Sequence, residues 1–160
     1  MAAHTRFLNP KTISTPPGYS HVVEVTGPGR MIYIAGQLGL DIEGKIAGQA
    51  GDFRAQAEQA FKNLKYALAE VGATFDNVVK INNYLRDISH VAIFREVRDM
   101  FVNTAHPPAS TTIAISDFAR PGALFEIEAV AVLPAKAGGG RTASARAKSA
   151  KVKAARRKRR

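Results

Sequence analysis

The chain has 160 residues with 23 Lys and Arg against 13 Asp and Glu, yet 11 of the cations fall within Lys136 to Arg160, a stretch with no acidic residue. Residues 1–135 carry 12 basic and 13 acidic side chains, so the formal charge of +10 belongs to the tail and the body is close to neutral. The absence of Cys excludes disulfide and thiolate chemistry, and no run approaches the roughly 18 to 20 apolar residues of a membrane span. The start, MAAHTRFLNPKTIS, has no apolar run of the kind a signal peptide needs. A soluble, cytoplasmic protein with no membrane partner is expected. It divides into one folded domain over 1–135 and a basic tail over 136–160.

In chain order, residues 1–20 are polar and broken by Pro10, Pro16, Pro17 and Gly18, which predicts an extended lead-in ending at Tyr19. His21 to Thr26 and Met31 to Leu40 read as two strands joined into a hairpin by Gly27, Pro28 and Gly29. Gly36 in the second predicts a bulge, or else a place where something approaches the backbone. After a glycine-rich loop, Asp52 caps a helix whose apolar residues Phe53, Ala57, Ala60, Leu64, Ala67 and Val71 recur every three or four positions, with Gly72 as its stop. Val78 to Leu85 is a β-branched strand, and Val91, Phe94, Val97 and Phe101 mark a second helix capped by Asp87 or Ser89.

Two further strands close the chain, joined by a turn around Ala119 to Gly122. In the last, Phe125, Ile127, Ala129, Ala131 and Leu133 alternate with Glu126, Glu128, Val130 and Val132. In the one before it, a small, mostly hydroxylated row of Ser110, Thr112 and Ala114 alternates with Thr111 and Ile113. The apolar row needs helices against it. The hydroxyls are placed beside the glutamates on the opposite, front face, as a covered pocket or interface; the plainer alternative is a front whose carboxylates only solubilise it. The order β-β-α-β-α-β-β predicts an α+β fold: one mixed sheet, two helices on one face, and a bare front that oligomerisation covers.

Other chemistries find little support. His4, His21, His90 and His106 stand at no metal-ligand spacing, Ser110 lies in no G-x-S-x-G, and there is no Walker or G-x-G-x-x-G loop. Glu126 and Glu128 lie about 6.5 to 7 Å apart along the strand, a spacing seen in glycosidase pairs, but both sit on one strand and no Trp is present to stack on a sugar.

The Ile34-Ala35-Gly36-Gln37 strand, the Pro107-Pro108-Ala109 entry and the run Phe125-Glu126-Ile127-Glu128-Ala129-Val130-Ala131 resemble the Rid family, also called YjgF, over roughly Thr15 to Pro134. The resemblance implies a chorismate-mutase-like fold, a homotrimeric barrel and a small-molecule pocket at each subunit boundary. It also implies cofactor-free hydrolysis of enamines and imines to keto compounds and ammonia. Carried over by position, Glu126 would direct the attacking water, Gly36 would offer its backbone to the ligand, and Tyr19 would line the mouth. Phe94, Ser110 and Thr112 complete the substrate-binding set.

Two positions depart from that pattern. The family's Pro-Ala-Arg reads Pro108-Ala109-Ser110 here, so a carboxylate-gripping arginine is a serine, and an asparagine on the second helix is Phe94. A neutral hydroxyl in place of a paired guanidinium gives up on the order of a few kcal/mol toward a buried carboxylate, so affinity for a 2-imino acid is expected to fall by orders of magnitude. Arg120 is the one candidate for rescue, although a basic residue in a turn is ordinarily exposed. The leading expectation is an enamine or imine deaminase of altered substrate. The alternatives are a non-catalytic metabolite-binding module and a nucleic-acid-associated factor with RNA-directed effects resembling those ascribed to some relatives. For the last, the tail ending Arg156, Arg157, Lys158, Arg159, Arg160 would contact polyanions without sequence preference. With Val152 as its one large apolar residue it is expected to be disordered alone.

Overall fold

The computed structural model describes residues 3–135. Strand β1 (His4–Leu8) pairs antiparallel with β2 (Val22–Thr26) in a ribbon of its own. A four-stranded sheet follows the order β3 (Gly29–Leu38), β6 (Phe125–Pro134), β4 (Val78–Leu85), β5 (Ala109–Ala114). β6 is antiparallel to both its neighbours, and β4 runs parallel to β5, as a helical crossover between them requires. The α+β class stands. The expected β2–β3 hairpin does not form, because β2 takes β1 as its partner, and the extended lead-in, which was expected to hold no element, supplies that partner. His4 to Leu8 lies ahead of the first proline, and Arg6 ties it to Glu24 across the ribbon at 2.8 Å.

Helix α1 (Phe53–Glu70) begins where the Asp52 carboxylate accepts from the Ala55 N–H, and it ends at Gly72, whose φ of 75° a side chain would disfavour. Its apolar face lies on β3 and β6, and α2 (Val91–Asp99) packs beside it on the same side of the sheet. Phe61, Phe94 and Phe125, all 1% exposed or less, meet at ring-centroid distances of 5.6 to 6.5 Å. Each contributes about 1.5 to 3 kcal/mol of transfer free energy. Because Phe125 is locked into this cluster, Glu126 beside it must face the other way.

Gln56, which the apolar stripe did not include, is buried inside α1. Its amide donates to the Gly122 carbonyl oxygen (3.1 Å) and accepts from the Leu124 N–H (2.8 Å), fixing the turn that leads into β6. Where α1 covers it, the back of the sheet is an apolar core. The front is open: Met31, Tyr33 and Ile113 are 58%, 75% and 45% exposed.

Candidate functional site

Two polar arrays flank the sheet, one on each side. On the front, alternation along β6 places Glu126 and Glu128 with Lys80, Asn82 and Tyr84 of β4 and Thr111 of β5. Glu128 is occupied: its Oε1 accepts from Asn82 Nδ2 at 2.7 Å and from the Tyr84 hydroxyl at 3.0 Å. Tyr84 resists ionisation, because burial and the hydrogen bond to Glu128 both favour the neutral phenol. Lys80 donates to Thr111 Oγ1 at 2.6 Å, and its partial burial lowers its proton affinity.

Glu126 has a different environment. Among the described residues its carboxylate accepts no hydrogen bond, and it leans over the backbone at Gly36, where a β-carbon would fall 1.8 Å from Oε1. The sheet makes this approach possible with a bulge: the β3–β6 register shifts between Ile34 and Gln37, and Gly36 lies inside the shift. Both readings of that glycine therefore hold. Desolvation, and then repulsion from Glu128, push the Glu126 pKa above the usual carboxylate value. The carboxylate has its lone pairs free, beside a backbone stretch that a ligand can reach.

The other array lies on the helix side. The parallel register pairs Ile81 with Ser110 and Asn83 with Thr112, so the hydroxyl row shares a face with the buried residues of β4 and not with the glutamates. This corrects the sequence-based placement on the front. Strand alternation sorts residues into two rows but leaves open which row joins which face of the neighbour; here the β4 register decides. The buried Asn83 amide nitrogen lies 3.0 Å from Ser110 Oγ, 3.0 Å from the Thr111 carbonyl oxygen and 3.2 Å from Thr112 Oγ1.

Ser110 and Thr112 open into a cleft of about 230 Å³ with Tyr19 from the lead-in and Phe94, Arg95 and Arg98 from α2. Tyr19 is held there by its neighbour Ser20, whose N–H and hydroxyl donate to the carbonyl oxygens of Pro108 (3.2 Å) and Pro107 (2.7 Å). Phe94 reaches this cleft but is only 1% exposed and belongs first to the aromatic core. Arg120 does not line the cleft; its guanidinium donates to the Gly44 carbonyl oxygen at 2.8 Å, from an exposed turn.

The predicted site residues thus divide into Glu126 with Gly36 on the front, and Tyr19, Phe94, Ser110 and Thr112 behind. Arg156 to Arg160 lie outside the described residues. Asn83 and Arg98 were not singled out from the sequence. Asn83 is in period with Ile81 and Leu85, and Arg98 follows Phe94 by four residues, so spacing alone places each on a buried face. A wider groove of about 570 Å³ runs along β3 and α1, but its carboxylate, Asp41, is already taken by the N–H groups of Glu43 and Lys45. Among the described residues no cluster of His, Asp and Glu has the arrangement of a metal site.

Fold and site together define an α+β domain with a free carboxylate over a bulged strand on one face of its sheet and a small polar cleft on the other. Residues 10–133 match the family described as Endoribonuclease L-PSP, and the chain belongs to that family, which takes in the Rid and RutC proteins. It is 36% identical over 116 residues to the 2-iminobutanoate/2-iminopropanoate deaminase of Mus musculus, covering 71% of this chain and 80% of the relative. It is 35% identical over 114 residues to Protein HMF1 of Saccharomyces cerevisiae, covering 71% and 82%. Among solved structures, YyfB of the Rid family from Yersinia pestis shares the fold with a TM-score of 0.71 and 33% identity, over 81% of this chain and 98% of that one.

Proposed function

We propose that this protein is a cofactor-free hydrolase of small enamines or imines, working at a site completed between copies of a homotrimer, with a substrate altered by the presence of Ser110. The observation that carries this reading is the Glu126 carboxylate: unpartnered among the described residues, poised over Gly36 and raised in pKa. Such a group accepts a proton from water as the water oxygen bonds to the C=N carbon, and passes that proton to the imine nitrogen to give a carbinolamine. It then takes the carbinolamine hydroxyl proton as the C=O bond reforms and hands it to the amine, which leaves as ammonia as its C–N bond breaks. The name of the mouse relative supports this reaction class.

Because Glu126 and the Ser110 cleft lie on opposite sides of one sheet, a substrate touching both must sit between two copies. The exposed Met31, Tyr33 and Ile113 supply the apolar surface for such packing. The test is keto-acid release from 2-aminoacrylate generated in situ. Wild type should exceed buffer, and Glu126→Gln should fall by roughly 10²- to 10⁴-fold. Equal rates for the two would remove Glu126 from the mechanism. Ser110→Arg should raise turnover of 2-imino acids if the serine is what altered the substrate.

A second reading rests on the 11 cations of the tail, which favour weak contact with nucleic acid. Ending the chain at Ala135 should abolish salt-sensitive retention on DNA or RNA. Undiminished retention would remove the tail from that role.

A further inference from the structure

The cleft behind the sheet is lined by two arginines, Arg95 and Arg98, and by no Asp or Glu. Arg98 is the unusual one. It sits on the buried face of α2 and is 4% exposed, with its Cζ 5.7 Å from the Phe94 ring centroid and its fork resting on the backbone of Gly18. A side chain at Gly18 would place its β-carbon 2.2 Å from Nη2, and the φ of 81° there already favours glycine. The carboxylate available to Arg98 is Asp99, whose single Oδ1 lies 2.8 Å from Nε and 2.7 Å from Nη2. Asp99 is itself 45% exposed, and Nη1 has no acceptor among the described residues. A buried cation is stable when charge and hydrogen bonds surround it, and this one has a donor to spare at the edge of a cleft.

We propose that Arg98, with Arg95 one turn earlier, holds the anionic end of a small carboxylate in this cleft, and that Ser110 and Thr112 hydrogen-bond its neutral end. Resting on the hydrolase reading above, this assigns the residue that takes over the carboxylate grip: α2 supplies the guanidinium in place of β5. Asp99 competes for the same guanidinium, so it sets how tightly an anion binds. The guanidinium is planar and packed against Phe94 and Gly18, so it meets a carboxylate in one orientation.

Calorimetric titration of the full-length chain provides the test, with 2-oxobutanoate as the probe and 2-oxobutanamide as its uncharged counterpart. Arg98→Gln should weaken 2-oxobutanoate by roughly tenfold or more and leave the amide unchanged. Asp99→Asn, which frees the guanidinium, should tighten it severalfold, a gain that a purely structural Arg98 does not give. Should Arg98→Gln fail to fold, Asp99→Asn and Arg95→Gln carry the test. No binding of 2-oxobutanoate by wild type, or equal affinity in all these variants, overturns the assignment. Binding with the expected Arg98 and Asp99 dependence but without imine hydrolysis sinks the hydrolase reading and leaves this one standing.

Discussion

Glu126 and Glu128 show how two identical side chains on one strand acquire different roles from their neighbours. Glu128 is held by Asn82 and Tyr84, while Glu126 is left with free lone pairs beside Gly36. The raised pKa of Glu126 means that the fold prefers its neutral form. Its contribution to stability is therefore fully present below the unfolded-state pKa and is lost as pH rises through the folded one. Urea midpoints should show Glu126→Gln gaining on wild type from acid to neutral pH; a constant offset would contradict the shift. As a base, Glu126 should also give kcat/KM an acid limb above the usual carboxylate range. Gly36→Ala should leave the fold largely intact, since no positive φ is involved, but displace the carboxylate and reduce turnover by about tenfold or more. Circular dichroism and the keto-acid assay together check this. Alternation in the sequence was enough to put Glu126 on a face of its own. That Glu128 and not Glu126 would be engaged depends on Asn82 and Tyr84 across the sheet, which no local pattern reveals.

At the scale of elements, the two helices, the cap at Asp52 and the stop at Gly72 were legible because hydrophobic period and capping chemistry act over a few residues. Strand partners were not. β2 chose β1 over β3, and the Ser110 row joined the helix side, because pairing and register are set by contacts far apart in sequence. Gln56 connects the legible helix to the site: α1 anchors the turn before β6, and β6 presents Glu126. Gln56→Ala removes both part-buried hydrogen bonds to the backbone of Gly122 and Leu124 and leaves a void, so it should cost about 2 to 4 kcal/mol. Chemical denaturation checks this, and a change below about 0.5 kcal/mol, the size typical of surface substitutions, would mean that the turn is held by other contacts.

At the scale of the molecule, the chain carries a complete core, and the site proposed for it is divided. Its carboxylate faces the open side of the sheet, and its cleft with Arg98, Ser110 and Thr112 faces the other. On the proposed reading, packing between copies brings the two halves onto one ligand and covers the exposed Tyr33 and Met31. Subunit complementation tests this most directly. Glu126→Gln and Arg98→Gln, each expected to be impaired alone at subsaturating substrate, are co-refolded in equal amounts, and keto-acid release is measured on the mixed oligomers. Random pairing should restore about a quarter of the wild-type sites. Mixed oligomers that release no more keto acid than either parent would contradict a site shared between neighbours.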